Sequence, residues 1–276
     1  RYQQCIYNPG GAGFVVPGYG ARGGDPEHPF NNTVAMSADG EFYNIANAGD
    51  SWDFGAVDWS QSPPQHMAFQ RHHHVGRAYV SHDGGATFSE AFTDPRLKAL
   101  GIIGEDILIK ACTAVPGGCK PEPSGPADDD LAGIFRSTDG GESWTRVSEI
   151  DVSPWTGGMV YHEGRCWLNS PKGLLVSDND GKTWRVLPGS PELTQPIWFG
   201  RDEGHLVGAG KNGFYESRDG GESWALVVKP PQEERWFHYS WNPVEDVFYA
   251  GEWPGKWYRF VRRHRDDRDD TKPERR

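Results

Sequence analysis

The chain has 276 residues, including 36 glycines, 21 prolines and 12 tryptophans, and a formal net charge of −11. Glycine and proline are the two poorest helix formers, so this composition disfavours a helical bundle and favours many short strands joined by tight turns. The 28 basic residues against 39 acidic ones argue against a nucleic-acid partner, which needs a predominantly basic surface. The sequence contains no apolar run long enough to predict a transmembrane segment.

The first residue is arginine rather than methionine, and no signal peptide precedes the first predicted strand. The four cysteines are Cys5, Cys112, Cys119 and Cys166. A Pro-Gly turn between Cys112 and Cys119 favours a local disulfide over two unpaired thiols, and the other two cysteines could form a second pair. With the glycosylation triplet at 31–33, the cysteines favour a secreted or otherwise extracytoplasmic protein.

Four eight-residue segments align without gaps. They read S-H-D-G-G-A-T-F at 81–88, S-T-D-G-G-E-S-W at 137–144, S-D-N-D-G-K-T-W at 177–184 and S-R-D-G-G-E-S-W at 217–224, with starts 56, 40 and 40 residues apart. Each segment lies between two β-prone runs, which predicts a hairpin turn. The third-position acid accepts bonds from turn amides, the glycines permit positive φ, and the final aromatic residue packs between sheets. We therefore predict a structural role for Asp83, Asp139, Asn179 and Asp219.

These segments identify the chain as similar to the Asp-box, or BNR-repeat, β-propellers. That group includes sialidases, xyloglucan-cleaving hydrolases, sortilin-type receptors and photosystem assembly factors. The resemblance covers roughly residues 33–261 and implies an all-β fold of radially arranged four-stranded antiparallel blades. Sialidases also carry an R-I-P motif near the N-terminus, and this sequence has none.

Residues 157–188 and 196–228 each read as four strands, whereas 235–261 read as three strands without an Asp-box. We predict one propeller domain over 1–261 with five blades, or six if residues 1–24 form part of another blade. A strand from the N-terminus, at 4–7 or 13–16, is expected to close the ring. The remaining residues, 262–276, are almost all charged and are expected to be a disordered tail.

The order of strands converts this repeat into two faces. If the first strand of each blade lies nearest the axis, the second-to-third and fourth-to-first connections share one face, and the Asp-box turns lie on the other. We interpret 49–76 as a long loop of the first face, where a ligand would bind. Aromatic and basic side chains suit sugar recognition, because rings stack on pyranoses and cations meet acidic groups. The substrate-binding candidates are Trp52, Trp59, Arg71, His72, His74, Trp155, Lys172, Lys211, Arg235 and Trp253.

Histidines 72–74 admit a metal interpretation, in which His72 and His74 bind an ion with His66. Consecutive strand residues point to opposite faces, so exposed imidazoles are the favoured interpretation and we predict no metal and no cofactor. A second alternative is a polysaccharide lyase that uses a histidine and a tyrosine to remove a proton.

Glycoside hydrolysis requires a pair of carboxylates. Glu105 and Asp106 immediately precede the apolar run 107–109, which we interpret as an axial strand, and Asp53 and Asp58 come from the long loop. These four are the predicted catalytic residues. The sequence thus favours a secreted glycoside hydrolase-like propeller acting on an acidic glycan or glycoconjugate. The alternatives are a non-catalytic propeller that binds a glycan or a protein, and the lyase.

Overall fold

A computed structural model describes residues 5–17, 33–41, 43–47, 52–71, 76–116, 128–152, 158–229, 237–252 and 256–261. These residues form 23 β-strands and one short 3₁₀ helix, Asp129–Leu131. The strands are arranged in six antiparallel sheets, which we number as blades 1 to 6 in chain order.

The strands of the first three blades are as follows. Blade 1 contains β1 (Ile6–Tyr7), β2 (Phe14–Pro17), β3 (Thr33–Ser37) and β4 (Tyr43–Asn47). Blade 2 contains β5 (Trp52–Val57), β6 (Met67–Arg71), β7 (Arg77–Ser81) and β8 (Ser89–Thr93). Blade 3 contains β9 (Leu97–Ile103), β10 (Ile107–Cys112), β11 (Gly133–Ser137) and β12 (Thr145–Ser148).

The second half of the chain repeats this order with shorter strands. Blade 4 contains β13 (Val160–His162), β14 (Arg165–Ser170), β15 (Gly173–Ser177) and β16 (Arg185–Val186). Blade 5 contains β17 (Trp198–Phe199), β18 (Leu206–Gly210), β19 (Gly213–Ser217) and β20 (Ala225–Val228). Blade 6 contains three strands, β21 (Phe237–Asn242), β22 (Val247–Glu252) and β23 (Lys256–Val261).

The prediction of four-stranded antiparallel blades is confirmed. The structure has six blades, so the favoured number of five is wrong and the alternative of six, with the N-terminal residues in a blade of their own, is the one observed. Both N-terminal segments that were expected to close the last blade instead pair within blade 1, as β1 and β2. In the described part of the chain the first and last blades meet through a 3.3 Å contact between the hydroxyl groups of Tyr7 and Ser240.

The strands of blade 1 were not predicted individually, because its turn between β3 and β4 is a shortened Asp-box. Ser37 Oγ donates to Asp39 Oδ1 at 3.3 Å and accepts from the Gly40 amide at 2.8 Å, while Asp39 Oδ1 accepts from the Glu41 amide at 2.9 Å. The turn therefore retains the serine and aspartate bonds with fewer residues, and an alignment without gaps does not detect it.

The predicted long loop 49–76 is also corrected, because residues 52–57 and 67–71 form β5 and β6. Likewise, the run 107–109 belongs to the second strand of blade 3, and the first strand is β9. The extra residues between the first two Asp-boxes therefore lie between β10 and β11.

The four full Asp-box turns share one hydrogen-bond pattern. In the second, Ser137 Oγ donates to Asp139 Oδ1 at 2.6 Å and accepts from the Gly141 amide at 2.9 Å. Asp139 also accepts from the amide and hydroxyl of Ser143. In the third, the Asn179 amide oxygen accepts from the Thr183 amide at 2.9 Å, and its Nδ2 donates to the Thr183 hydroxyl. An asparagine thus closes the same turn.

Apolar clusters join each blade to the next from blade 1 to blade 6. The aromatic residue that ends each Asp-box packs into the cluster shared with the preceding blade: Phe88, Trp144, Trp184 and Trp224. Trp144, Trp184 and Trp224 also donate from Nε1 to the carbonyl of the glycine three residues earlier in their own turn. Each turn therefore orients a ring that holds two blades together.

The first strands β5, β9 and β13 contact one another at the centre of the molecule. The Met159 amide donates to the Leu100 carbonyl at 2.6 Å, and a Cβ at Gly158 would lie 1.7 Å from the Gly55 carbonyl oxygen. Only glycine at 158 allows these backbones to approach so closely. On the side of the Asp-boxes, the turn between β1 and β2 reaches blade 4, where a Cβ at Gly10 would lie 3.8 Å from His162.

The pairing of Cys5 with Cys166, which the sequence left open, is absent from the structure, because both are free thiols and Cys166 is fully buried in the core. Burial raises the pKa of the Cys166 thiol to about 12. Cys112 is also a free thiol, which donates to Asp94 Oδ2 at 3.5 Å, and Cys119 lies outside the described residues. The part of the chain that the structure describes contains no helix of the length and hydrophobicity that a membrane crossing requires.

We expect Ser137→Ala to lower the free energy of unfolding by about 1–3 kcal/mol, because it leaves the buried Gly141 amide without its acceptor. Urea unfolding of the variant measures this loss. Ser89→Ala, at an exposed serine of β8, is the matched control and should change stability by less than about 0.5 kcal/mol. Equal stability of the two variants would contradict the role of the Ser137 hydroxyl.

The Asp-box carboxylates also predict a loss of stability in acid. Bonds from Ser137 and Ser143 lower the pKa of Asp139 from its ordinary 3.8 to about 2. Because this pKa is lower in the folded chain than in the unfolded one, the carboxylate stabilises the fold above about pH 4, and that stabilisation is lost as the pH falls toward 2. Asp139→Asn should therefore destabilise the protein less at pH 3 than at pH 6. The reciprocal Asn179→Asp should make unfolding more sensitive to acid, and a pH-independent difference for either variant would oppose this account.

Candidate functional site

The strand order divides the turns between two faces. The turns between the first and second strands and the Asp-box turns lie on one face, which we call the box face. Amide-to-carbonyl bonds connect these turns, from Gly84 to Gln65, Gly140 to Asp106 and Gly220 to Gly204. The connections between second and third strands and those between blades lie on the opposite face, which we call the loop face.

Glu105 and Asp106 lie on the box face, in the turn between β9 and β10, and both are exposed. The sequence analysis placed them on the opposite face because it took β10 for the first strand of blade 3. Their expected place on the loop face is therefore corrected, and a catalytic role for them stays a prediction.

Asp58 also lies on the box face, in the turn between β5 and β6, and is only 2% exposed. Its Oδ2 accepts from the Gly104 amide at 2.6 Å, and its Oδ1 accepts from the Ser60 amide at 2.8 Å. The carboxylate thus joins the first turns of blades 2 and 3. Asp53, the fourth predicted catalytic residue, lies half-buried within β5.

Trp52 and Trp59 pack against protein rather than project from a loop. Trp52 is 1% exposed, and its ring centroid lies 4.9 Å from that of Phe88 and 5.5 Å from that of Tyr79. Trp59 packs into the cluster between blades 1 and 2, close to Gly13, where an added Cβ would lie 3.0 Å from its ring. Both tryptophans therefore contribute to the core, so their expected exposure in a ligand loop is corrected.

Five predicted binding residues lie outside the described residues, so their ligand-binding role stays a prediction. They are His72, His74, Trp155, Arg235 and Trp253.

Lys172 and Lys211 lie on the loop face, in equivalent two-residue turns of blades 4 and 5. The pairs Ser170–Gly173 and Gly210–Gly213 close these turns. Both lysines are exposed. Next to the turn of Lys172, Asn169 Nδ2 donates to the Gln195 carbonyl at 2.7 Å, which connects β14 to the segment between blades 4 and 5. The two turns therefore present cationic side chains from adjacent blades on one face.

Arg71 ends β6 at the loop face and contacts Tyr79 of the neighbouring strand. Its Nη1 donates to the Tyr79 hydroxyl at 3.2 Å, and its guanidinium carbon lies 5.8 Å from the ring centroid. The Tyr79 hydroxyl donates in turn to Glu90 Oε2 at 3.3 Å. A chain of polar contacts thus crosses blade 2 and holds the arginine at the edge of the loop face.

A buried cation that the sequence analysis missed lies between blades 2 and 3. Lys110 Nζ lies 2.9 Å from Asp94 Oδ2 and 4.6 Å from the ring centroid of Trp144. Burial opposes the charge of Asp94, but the bonds from Lys110 and from the Arg96 amide hold its pKa below the ordinary value. In the sequence, the only indication of this buried ion pair is a single lysine within the otherwise apolar strand β10. The pair therefore joins β10 of blade 3 to the residue that follows β8 of blade 2.

A second missed cluster lies at the box face between blades 5 and 6. Glu216 Oε1 lies 2.7 Å from His205 Nε2 and 2.6 Å from Arg218 Nη2, and His205 and Glu216 are 7% and 8% exposed. The His205 ring packs edge-on against Trp241 at 5.2 Å. These contacts connect the Asp-box of blade 5 to the neighbouring blade.

Comparison with known proteins supports the fold. The family model described as BNR/Asp-box repeat matches residues 135–146. No curated protein matches the sequence. Among solved structures, a GH74 enzyme of Niastella koreensis has a TM-score of 0.55 at 16% identity, over 94% of this chain and 36% of its own.

Two further solved structures cover nearly the whole chain. YCF48 bound to D1 peptide has a TM-score of 0.50 at 14% identity, over 93% of this chain and 77% of its own. An extracellular domain from B. thetaiotaomicron has a TM-score of 0.50 at 11% identity, over 98% of this chain and 36% of its own. This chain therefore spans about a third of two of the three proteins. Taken with the six sheets and the repeated turns, the chain is a β-propeller with BNR/Asp-box repeats.

Proposed function

We propose that this propeller binds an acidic glycan on its loop face and does not cleave it. The observation that carries the proposal is the position of Lys172 and Lys211 in equivalent exposed turns of blades 4 and 5. Cations repeated along one face suit a polymer that carries repeated acidic groups.

The positions of the carboxylates favour binding over hydrolysis. Glycosidases place two carboxyl groups about 5–9.5 Å apart across one bound sugar. Of the four predicted acids, Glu105, Asp106 and Asp58 lie in box-face turns, and Asp58 is bonded to two backbone amides. Their position on the box face supports a loop-face site that binds its ligand without a pair of catalytic carboxylates.

GH74 enzymes are among the structural neighbours, which supports a carbohydrate ligand by analogy of fold. A second candidate is an acidic peptide on the same face. YCF48, a neighbour of which this chain covers 77%, is bound to a peptide. A location outside the cytoplasm is part of the proposal and is supported by the glycosylation triplet and by the extracellular neighbour.

We expect the double variant Lys172→Glu/Lys211→Glu to bind acidic oligosaccharides about tenfold more weakly than the parent, because two attractive charges become repulsive. Calorimetric titration with uronate-containing, sialylated and sulfated oligosaccharides measures this loss. Lys182→Glu, an exposed lysine on the box face, is the matched control and should leave the affinity unchanged.

The same samples discriminate the alternatives. New reducing ends would show a hydrolase, and absorbance from unsaturated uronate products would show a lyase; either result overturns the proposal. Binding of acidic peptides without binding of any glycan would establish the second candidate instead.

Asp58 provides a separate test of the structural interpretation. We expect Asp58→Ala to lower the free energy of unfolding by about 1–3 kcal/mol, because the half-buried Gly104 amide loses a charged acceptor. Glu105→Gln, at an exposed position in the turn of the adjacent blade, should leave stability within about 0.5 kcal/mol of the parent. If the Asp58→Ala protein were as stable as the parent, the structural role of Asp58 would be refuted and a functional role would be favoured instead.

A further inference from the structure

Two imidazoles face each other on the box face of blade 2. His66 immediately precedes β6, His82 immediately follows β7, and the pairing of Met67 with Ser81 places the two histidines opposite each other. Their Nδ1 atoms are 3.0 Å apart, and their ring centroids are 5.2 Å apart with an interplanar angle of 59°. His66 is half-buried and His82 is exposed, so the shared space between them opens to solvent.

The backbone on both sides of this pair is fixed. The Asp58 amide donates to the His66 carbonyl at 3.0 Å, and the Gly84 amide donates to the Gln65 carbonyl at 3.1 Å. The Asp-box bonds hold the other side, where Asp83 accepts from the amide and hydroxyl of Thr87. The two rings are therefore presented by rigid turns rather than by free loops, which limits the ordering that a ligand would have to impose.

The same cross-strand position differs in the other blades with full Asp-boxes. In blade 4 it holds an ion pair, with Arg165 Nε 2.9 Å from Asp178 Oδ1. In blade 3 it holds Ile107 and Thr138. Blade 2 instead places two nitrogen ligands in contact at a position where the fold does not require them.

We propose that His66 and His82 bind a divalent transition-metal ion through their Nδ1 atoms. Imidazole nitrogens bind such ions at about 2.0–2.1 Å, which places two adjacent ligands about 2.9–3.4 Å apart. The separation of 3.0 Å fits this range. Cu²⁺ should bind most tightly, ahead of Ni²⁺ and Zn²⁺.

The neighbouring charge and the open coordination favour an exchangeable ion. Asp83 directly follows His82 in the chain, so its carboxylate adds a negative charge next to the two imidazoles. Within the described ranges, no group of three or more histidine, cysteine or acidic side chains is placed to hold a metal. Water would complete the coordination, and the ion would remain accessible from solvent.

Titration of the untagged full chain with Cu²⁺ and Zn²⁺, followed by calorimetry and electron paramagnetic resonance, tests the site. The parent should bind one Cu²⁺ with the signature of two imidazole nitrogens. His82→Thr and His66→Ile copy the residues of blade 3, so the fold should accept them, and each should weaken Cu²⁺ binding by about tenfold or more. Circular dichroism without metal verifies folding.

The variant His72→Gln/His74→Gln is the matched control, because the run at 72–74 offers a competing ligand set, and it should keep the parent affinity. Unchanged binding in His82→Thr, or loss of binding in the 72/74 variant alone, would overturn the proposal. If both blade-2 variants fail to fold, NMR of the parent decides. Cu²⁺ should first broaden the imidazole signals of His66 and His82, and broadening elsewhere would refute the site.

Discussion

The hydrogen bonds of a buried serine hydroxyl determine much of this fold. Ser81, Ser137, Ser177 and Ser217 are each about 1% exposed, and each accepts from the amide of the glycine four residues later. The bond closes a polar turn and at the same time directs the aromatic residue that follows into the preceding blade. A local motif of eight residues therefore fixes the contact between two consecutive sheets of the propeller.

The local character of this motif explains which parts of the fold are predictable from sequence. The strands of blades 4 and 5 agree with the predicted ones, because each Asp-box marks where the third strand ends and the fourth begins. Blade 1 has a shortened turn, so its strands lacked this marker. In β5 the sequence W-D-F-G-A-V lacks simple alternation, and a register shift between Trp52 and Gly55 accounts for that irregularity.

Errors in strand order then affect the candidate site through geometry. Successive strands of an antiparallel blade run in opposite directions, so counting one strand too few exchanges the two faces. For this reason Glu105 and Asp106 were assigned to the loop face, although their position immediately before a strand was predicted correctly. Lys172 and Lys211 lie on the predicted face because the repeat set the strand order correctly in their blades. Residues close to an Asp-box were therefore assigned to the correct face, whereas those in blades with an uncertain strand order were not.

The two faces offer different conditions for binding. On the box face, amide-to-carbonyl bonds join neighbouring turns, so two ligand atoms can be held at a set distance, as at His66 and His82. On the loop face, Lys172 and Lys211 are exposed in equivalent two-residue turns. Long flexible cations suit a polymer whose charges need no single geometry. Because the two sites belong to opposite faces and share no residue, a ligand on one should change the affinity of the other little. The same repeat can thus support a rigid ion site and an adaptable surface in one chain.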